Sequence, residues 1–257
     1  MAALYEKRGG GLFATELTRG PWSPDAQHGG APAALLMREF ERVDGDPRLM
    51  LARVTYELLR PVPLGELILE RQVLRDGRRV QLLEARLRTP AGVEVVRARA
   101  LRIRRAAVSA GPLEPSPPGP ERGTEQRLKL DDDLRRFPGD AVTLRFVEGH
   151  FHEPGPATVW FRLHVPVIEG ETPSPLQRLA AAADFPNGIA TELSWEHHTF
   201  INPDLTIQLE REPQGEWICL QARMRVVCGG VGMAEALIYD LQGRVGRCSQ
   251  SLYVAER

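Results

Sequence analysis

Short segments in which apolar and polar residues alternate make up most of the chain. Two examples are ELILERQV (residues 66–73) and TIQLEREP (residues 206–213). A period of two places every second side chain on the same face of a strand, so the pattern predicts half-buried strands. The dipeptides DG, QG and GG between such segments are typical of tight turns. We therefore expect antiparallel sheet to dominate the structure.

One segment, HGGAPAALLMREFER (residues 28–42), follows a longer period. Its apolar residues Ala33, Leu36, Met37 and Phe40 repeat at the i, i+3, i+4, i+7 spacing of a helix with one buried face. This helix opens the first half of the chain, and several strand-like segments follow it.

A second helix is predicted in LQRLAAAADFPNG (residues 176–188), because alanine is the best helix former. Ser174 and Pro175 supply an N-cap and a proline at the first helical position. Asp184 lies at the end of this helix, where a negative charge is unfavourable because the C-terminus of a helix is itself negative. A carboxylate at such a position is a candidate for function.

The Pro- and Gly-rich stretch AGPLEPSPPGPERG (residues 110–123) separates two halves that share the order helix, then strands. The halves align at an offset of 151 positions, which pairs Gly92 with Gly243 and Arg99 with Gln250. Such self-similarity indicates an internal duplication.

The segments VTYE (54–57) and LSWE (193–196) align at a smaller offset of 139 positions. We divide the chain into an N-terminal repeat (1–108), a Pro/Gly-rich linker (109–135) and a C-terminal repeat (136–257). A curved antiparallel sheet wrapped around one amphipathic helix buries both apolar faces. The prediction is an α+β fold of two such units, a tandem or double hotdog, joined edge to edge so that two exposed strand edges disappear.

Composition excludes several classes of protein. The 257 residues carry a formal net charge of −1, which provides no basic field for nucleic acid. No segment approaches the ~20 apolar residues of a membrane span, and the first residues lack the apolar core of a signal peptide. Three cysteines without a CxxC pair suit reduced thiols, so we expect a cytoplasmic protein.

Three segments resemble the double-hotdog acyl-CoA thioesterases, and within them the thioesterase II-like branch. They are WSPDAQHGGAPAALLMREF (22–40), AADFPNGIATELSWEHHTFINPDLTIQLEREPQGEWICLQAR (182–223) and GVGMAEALIYDLQGRVGRCSQSLYV (230–254). The resemblance covers nearly the whole chain outside residues 105–140. It implies an acyl-CoA substrate, hydrolysis of the thioester and no cofactor.

The resemblance also implies a site in which an Asp, a hydroxyl and a Gln hold a water against the thioester carbonyl. These roles fall on Asp184, on Ser194 in a following strand, and on Gln250 in the last strand. Thioester hydrolysis needs such a water, together with a group to orient or deprotonate it. The first half has Arg99 in place of the Gln, so we expect its own site to be degenerate.

His28, Gly29 and Gly30 are the predicted substrate-binding residues. The free N–H groups and the dipole at the start of a helix favour an anion or a carbonyl oxygen. A tight turn that requires glycine is the competing interpretation. For His28, the roles of catalytic base and of packing at the helix entry also stay open.

Structural interpretations of the three catalytic candidates remain open as well. Asp184 could bond the FPNG turn, Ser194 could pair across the sheet, and Gln250 could face solvent. No metal site is predicted, because His150 with His152, and His197 with His198, lack further ligands at suitable spacing.

Two rival functions follow from the same fold. A hotdog enoyl-CoA hydratase would need an Asp/His pair, and no His follows Asp184 at short helical spacing. A non-catalytic acyl-CoA binding protein would bind the same ligand without releasing thiol. Either a monomer of two repeats or a homo-oligomer is compatible with the sequence.

Overall fold

The computed structural model describes residues 2–9, 11–109, 111–128, 133–151 and 153–257. In this part of the chain, fourteen strands form one sheet whose paired neighbours are all antiparallel. The predicted dominance of antiparallel sheet is confirmed. Two of the helices contact each other and pack against this sheet.

The strands of the first half are β1 (Tyr5–Arg8), β2 (Gly11–Ala14), β3 (Leu49–Leu58), β4 (Gly65–Asp76), β5 (Val80–Arg88) and β6 (Glu94–Arg104). Those of the second half are β7 (Thr124–Gln126), β8 (Val142–His150), β9 (Glu153–Leu163), β10 (His198–Ile201), β11 (Asp204–Leu209), β12 (Ile218–Val226), β13 (Val231–Asp240) and β14 (Gly243–Glu256). The α-helices are α1 (Gly30–Glu41), α2 (Pro175–Ala182) and α3 (Pro186–Ile189). Short 3-10 turns at Glu16–Thr18 and Pro120–Arg122 and a π-helical turn at Phe137–Ala141 complete the helical elements of the described residues.

The strand order is β1-β2-β4-β5-β6-β3-β11-β14-β13-β12-β9-β8-β7, with β10 paired to the end of β14. Strands β3 and β11 meet at the centre, where Thr55 lies opposite Thr206. Outward from this pair, β6, β5 and β4 follow on one side and β14, β13 and β12 on the other. The two halves therefore share one strand order. Counted outward from the centre it is β3, β6, β5, β4 in the first half and β11, β14, β13, β12 in the second.

The offset of 139 positions between VTYE and LSWE is wrong. Residues 193–196 lie in a loop and turn, in which Ser194 O accepts hydrogen bonds from His197 N and His198 N. The strand that corresponds to β3 is β11, since Thr55 and Thr206 are partners 151 positions apart. Leu193, Trp195 and Phe200 of the 190–203 segment belong to an aromatic cluster rather than to one long strand.

The predicted equivalence of Arg99 and Gln250 is also wrong, by one residue. Arg99 pairs with Thr55, whereas the residue that pairs with Thr206 is Ser249. The turn between β5 and β6 has one residue more than the turn between β13 and β14, because Arg88 pairs with Glu94 and Tyr239 pairs with Arg244. The counterpart of Gln250 is therefore the buried Ala100.

Helix α2 begins as predicted, with the Ser174 hydroxyl accepting from Gln177 N at 3.1 Å and Pro175 at the first position. The helix ends at Ala182, two residues before Asp184. Pro186, Asn187 and Gly188, which the sequence pattern places at the end of this helix, instead form the single turn α3. Asp184 therefore lies in the short connection between two helices, which fixes its backbone.

Residues 114–118 of the predicted linker lie against the outer face of the second half of the sheet. Trp160 donates its indole N–H to Pro118 O at 2.7 Å, and Ser116 donates to Asp240 O at 2.6 Å. Tyr239 donates its hydroxyl to Glu114 at 2.9 Å. Positions 110 and 129–132 of the predicted linker lie outside the described residues.

Candidate active site

Asp184 is buried between the end of α2 and the start of α1, with 5% of its surface exposed. The backbone of Gly29 lies directly against the carboxylate, since a Cβ atom built on Gly29 would be 2.6 Å from Asp184 Oδ2. Gly30 has a comparable constraint, because its Cβ would be 2.5 Å from Ala181 O. The two glycines thus allow α1 to approach the end of α2 closely.

Two side-chain amides share one oxygen of this carboxylate. Asn202 donates from Nδ2 to Asp184 Oδ1 at 2.8 Å, and Gln250 donates from Nε2 to the same atom at 3.2 Å. Gln250 Nε2 also lies 3.2 Å from Asp184 O, and its Oε1 accepts from Asn187 N at 3.3 Å. All of these side chains are buried, so the amides hold the carboxylate in one orientation. The structure thus brings Asp184 and Gln250 together.

The other carboxylate oxygen faces His28, whose Nδ1 lies 3.1 Å from Asp184 Oδ2. The same Nδ1 accepts from Gly30 N at 3.0 Å. A ring nitrogen carries one lone pair or one proton, so Nδ1 satisfies one of these partners at a time. The imidazole ring is held between Phe137 and Phe185, at centroid distances of 5.1 and 4.5 Å.

The N-terminus of α1 is open towards this cluster. Gly29 is the N-cap residue and has no side chain, and its N–H donates to no group within the described residues. The unpaired Gly29 N–H and the positive dipole end of the twelve-residue helix therefore lie beside Asp184, whereas the N–H groups of Gly30 and Ala31 donate to His28. A carbonyl oxygen that acquires negative charge would be stabilised there.

Ser194 lies elsewhere. Its side chain is exposed, and its hydroxyl accepts from Glu196 N at 3.2 Å within the turn. The residue that the sequence analysis missed is Asn202, in the segment FINPDLT directly before β11. The sequence pattern could have indicated Asn202, because it is a polar residue between an apolar strand and a proline. The sequence analysis instead placed residues 193–196 in a strand and gave the third role to Ser194.

A second carboxylate lies at the opposite end of the helix pair. Glu41 ends α1, and its Oε2 accepts from Ser174 Oγ and Gln177 Nε2, both at 2.9 Å. Burial raises the pKa of Glu41, although these two hydrogen bonds oppose the shift. The counterparts of Asn202 and Gln250 at this end are Leu51 and Ala100, which offer no polar atom on their side chains.

The described residues contain no cluster of three or more His, Cys, Asp or Glu arranged to bind a metal. His152, one of the histidines considered above, lies outside the described residues. None of the helices in the described part of the chain is long and apolar enough to cross a membrane.

Comparison with protein families gives two adjoining matches. Residues 18–103 match the model of the acyl-CoA thioesterase N-terminal domain, and residues 109–254 match that of the acyl-CoA thioesterase C-terminal domain. A search of curated proteins gave no match.

Several solved structures share the fold at low sequence identity. A candidate thioesterase II from Thermobifida fusca superposes with a TM-score of 0.73 at 17% identity, covering 95% of this chain and 91% of that one. A hotdog-fold protein from Alicyclobacillus acidocaldarius gives 0.72 at 14% identity, covering 98% and 95%. The acyl-CoA thioesterase II of Mycobacterium marinum gives 0.62 at 16% identity, covering 94% and 96%. The predicted hotdog fold is confirmed by these likenesses.

Proposed function

Because the chain belongs to the acyl-CoA thioesterase family, a family of thioester hydrolases, we propose that it hydrolyses an acyl-CoA to a free acid and CoA at Asp184. One observation carries the proposal: a buried carboxylate, oriented by the amides of Asn202 and Gln250, faces the open N-terminus of a helix. A base and an oxyanion donor are the two elements that thioester hydrolysis requires.

In the proposed reaction, Asp184 accepts a proton from a water molecule while the water oxygen attacks the thioester carbonyl carbon. The Gly29 N–H and the α1 dipole stabilise the negative charge on the carbonyl oxygen. Collapse of the tetrahedral intermediate breaks the carbon–sulfur bond, and the CoA thiolate leaves and takes up a proton. The path proceeds by direct attack of water and forms no covalent acyl-enzyme.

Asn202 takes the third position that the sequence analysis gave to Ser194. Its Nδ2 already donates to Asp184, and its Oδ1 is an acceptor that can orient the attacking water. Gln250 holds the carboxylate from the other side. His28, which contacts the second carboxylate oxygen, lies where it can fix the acyl-CoA or receive the proton from Asp184.

We also propose that each half of the chain is one hotdog repeat around its own helix. Support comes from the strand order, which is the same in both directions from the β3–β11 pair. The first repeat supplies the start of α1, and the second supplies Asp184, Asn202 and Gln250. One site would then require both repeats.

The test is release of thiol from an acyl-CoA series, from acetyl to palmitoyl, by the wild type and by Asp184→Asn. We expect Asp184→Asn to lose at least a hundredfold in kcat with an unchanged circular dichroism spectrum. Glu41→Gln, the same change at the opposite end of the helix pair, is the matched control and should keep full activity. Equal turnover by Asp184→Asn would refute the assignment, and tight binding without any thiol release would favour an acyl-CoA binding protein.

The contact between His28 and Asp184 favours one second candidate, hydration of an enoyl-CoA. The sequence analysis found no Asp/His pair within one helix, but the fold joins these two side chains from opposite halves at 3.1 Å. Crotonyl-CoA distinguishes the reactions. A hydratase consumes the conjugated double bond without releasing thiol, whereas a thioesterase releases thiol and leaves the double bond.

A further inference from the structure

The inner face of β14 carries the catalytic amide between two apolar clusters. Cys248 and Leu252 flank Gln250 on this face, and all three are buried. Cys248 belongs to the main core, which also contains the buried residues of α1 and α2. Leu252 belongs to a smaller, separate cluster. The polar site therefore lies at the boundary between the main core, which contains α1 and α2, and the smaller cluster.

The smaller cluster, which we call the aromatic pocket, has Phe200, Met224, Ala234 and Leu252 as its buried members. Its cover consists of tryptophans in loops. Trp22 and Trp195 stack at 4.9 Å with 25° between their planes. Both rings pack edge-on against Phe200, at 5.1 and 4.6 Å. Loops rather than helices thus close this side of the sheet.

The aromatic pocket begins one contact away from the candidate catalytic residues. Gln250 is the cross-strand partner of Ala234, and Asn187, which donates from its N–H to Gln250, also donates from Nδ2 to Phe200 O at 3.4 Å. The Trp195 ring lies over α3, since a Cβ on Gly188 would be 3.7 Å from it. Gln250 and Asn187 therefore connect Asp184 to this cluster through direct hydrogen bonds.

Trp195 has a further property. Its indole Nε1 is buried and has no hydrogen-bond partner within the described residues. The Nε atoms of Arg53, Arg88 and Arg244 are also buried without a hydrogen-bond partner in the described residues. A buried donor without an acceptor costs about 1–3 kcal/mol, and in a native structure it requires an explanation. A ligand that brings an acceptor oxygen would remove this cost.

The first half has no equivalent pocket. Ala100 and Gln250 occupy equivalent positions in the two halves. Two residues further along each strand, the equivalent of Leu252 is Arg102. Arg102 is buried and donates to Val43 O at 2.9 Å and to Phe40 O, so its guanidinium fills the corresponding space beside the end of α1. The apolar cluster is therefore particular to the end of the molecule that carries Asp184.

We propose that the aromatic pocket receives the acyl group and that Trp195 determines its specificity. The pocket selects short acyl chains that carry a hydrogen-bond acceptor, such as a hydroxyl or keto oxygen, for the indole N–H. The proposal rests on the proposed thioesterase function. The stacked tryptophans limit the length of the chain, and the N–H distinguishes an oxygenated acyl group from a plain one.

Two substitutions separate these effects. Trp195→Phe keeps an aromatic ring and removes the N–H, and Trp195→Ala removes both. Trp217, which lies on the outer face of the sheet, provides the matched control Trp217→Ala. The substrates are butanoyl-CoA, 3-hydroxybutanoyl-CoA and decanoyl-CoA, and the readout is kcat/KM from thiol release.

The wild type should favour 3-hydroxybutanoyl-CoA over butanoyl-CoA by about tenfold, the value of one hydrogen bond. Trp195→Phe should abolish this preference and still discriminate against decanoyl-CoA, whereas Trp195→Ala should accept decanoyl-CoA about tenfold better. Trp217→Ala should keep both ratios. Unchanged ratios in Trp195→Phe and Trp195→Ala would overturn the proposal.

Calorimetric binding of the same three ligands separates this proposal from the proposed function. If no thiol is released but the wild type binds 3-hydroxybutanoyl-CoA about tenfold more tightly than Trp195→Phe does, the pocket stands and the hydrolysis fails. If thiol is released with no dependence on residue 195, the hydrolysis stands and the pocket fails.

Discussion

Replacing Gly29 by alanine tests, with one methyl group, the position of the carboxylate that we propose as catalytic. Gly29 has φ −58° and ψ −23°, a conformation that alanine adopts without strain. The added Cβ, however, would be 2.6 Å from Asp184 Oδ2 and 2.9 Å from its Cγ, whereas ordinary contact begins at 3.4 Å. The carboxylate must therefore move by about 0.8 Å, which is the difference between these contact distances.

Such a movement breaks the geometry on which the proposed mechanism depends. The hydrogen bond from Asn202 to Asp184 is 2.8 Å long, and lengthening it by the same amount takes it out of hydrogen-bonding range. A displacement of about 1 Å in a catalytic group costs about a hundredfold in rate. We expect Gly29→Ala to lose about a hundredfold in kcat and to lose about 1–3 kcal/mol of stability through overpacking.

The assay is steady-state thiol release together with urea denaturation. Gly139→Ala is the matched control, because a Cβ at Gly139 meets no atom within 4 Å. It should change neither kcat nor stability by a measurable amount. A Gly29→Ala protein that is folded and turns over at the wild-type rate would refute the inference that catalysis depends on this placement of Asp184.

Three further predictions concern the site and its frame. Asn202→Leu, which copies the residue at the equivalent position of the first half, should lower kcat at least tenfold in the thiol-release assay, because Asp184 loses its shortest hydrogen bond. Burial raises the pKa of Glu84, but hydrogen bonds from Arg86, Gln72 and Arg99 outweigh it and lower the pKa from 4.5 to about 2. Its stabilising effect is thus present above pH 4.5 and lost as pH falls towards 2, so Glu84→Gln should cost about 1–3 kcal/mol in urea denaturation at pH 7 and much less at pH 2. The raised pKa of Glu41 has the opposite sign: the stability it supports is complete below pH 4.5 and falls as pH rises through the folded pKa, so Glu41→Gln should raise Tm at pH 8 relative to the wild type and leave it unchanged at pH 4.

The periodicity of the sequence predicted the elements that bury one face. Strand β11 alternates because one side packs on the core, and α1 repeats at helical spacing for the same reason. The offset of 151 positions also predicted which strands correspond, and it holds at the central pair of Thr55 and Thr206, although it falls to 150 in β6 and β14. These features depend on local burial, which a single sequence records directly.

The errors arose where tertiary packing overrides local pattern. The segment around Trp195 has the aromatic residues of a strand, but its rings pack with Trp22 and Phe200 and the backbone forms a turn. That error moved the third site residue from Asn202 to Ser194. The pattern also could not predict that the β5–β6 turn is one residue longer than the β13–β14 turn. A strand whose register shifts by one residue still alternates between apolar and polar residues, but each residue has a new partner.

The same frame, used twice, explains why one end of the helix pair is a candidate site and the other is not. At the Glu41 end, the Ser174 hydroxyl accepts from the backbone of α2 and thereby caps that helix, so the helix N-terminus is already satisfied. At the Asp184 end, His28 accepts hydrogen bonds from the N–H groups of Gly30 and Ala31, but the Gly29 N–H has no partner among the described residues, and the absent Cβ of Gly29 leaves room for the carboxylate beside it. The sheet also differs between the two ends. The positions equivalent to Asn202 and Gln250 are occupied by Leu51 and Ala100, which have no polar side-chain atom. A carboxylate alone is therefore present at both ends, and the free Gly29 N–H and the two amides distinguish the end that we propose as the binding site for a thioester carbonyl and a water.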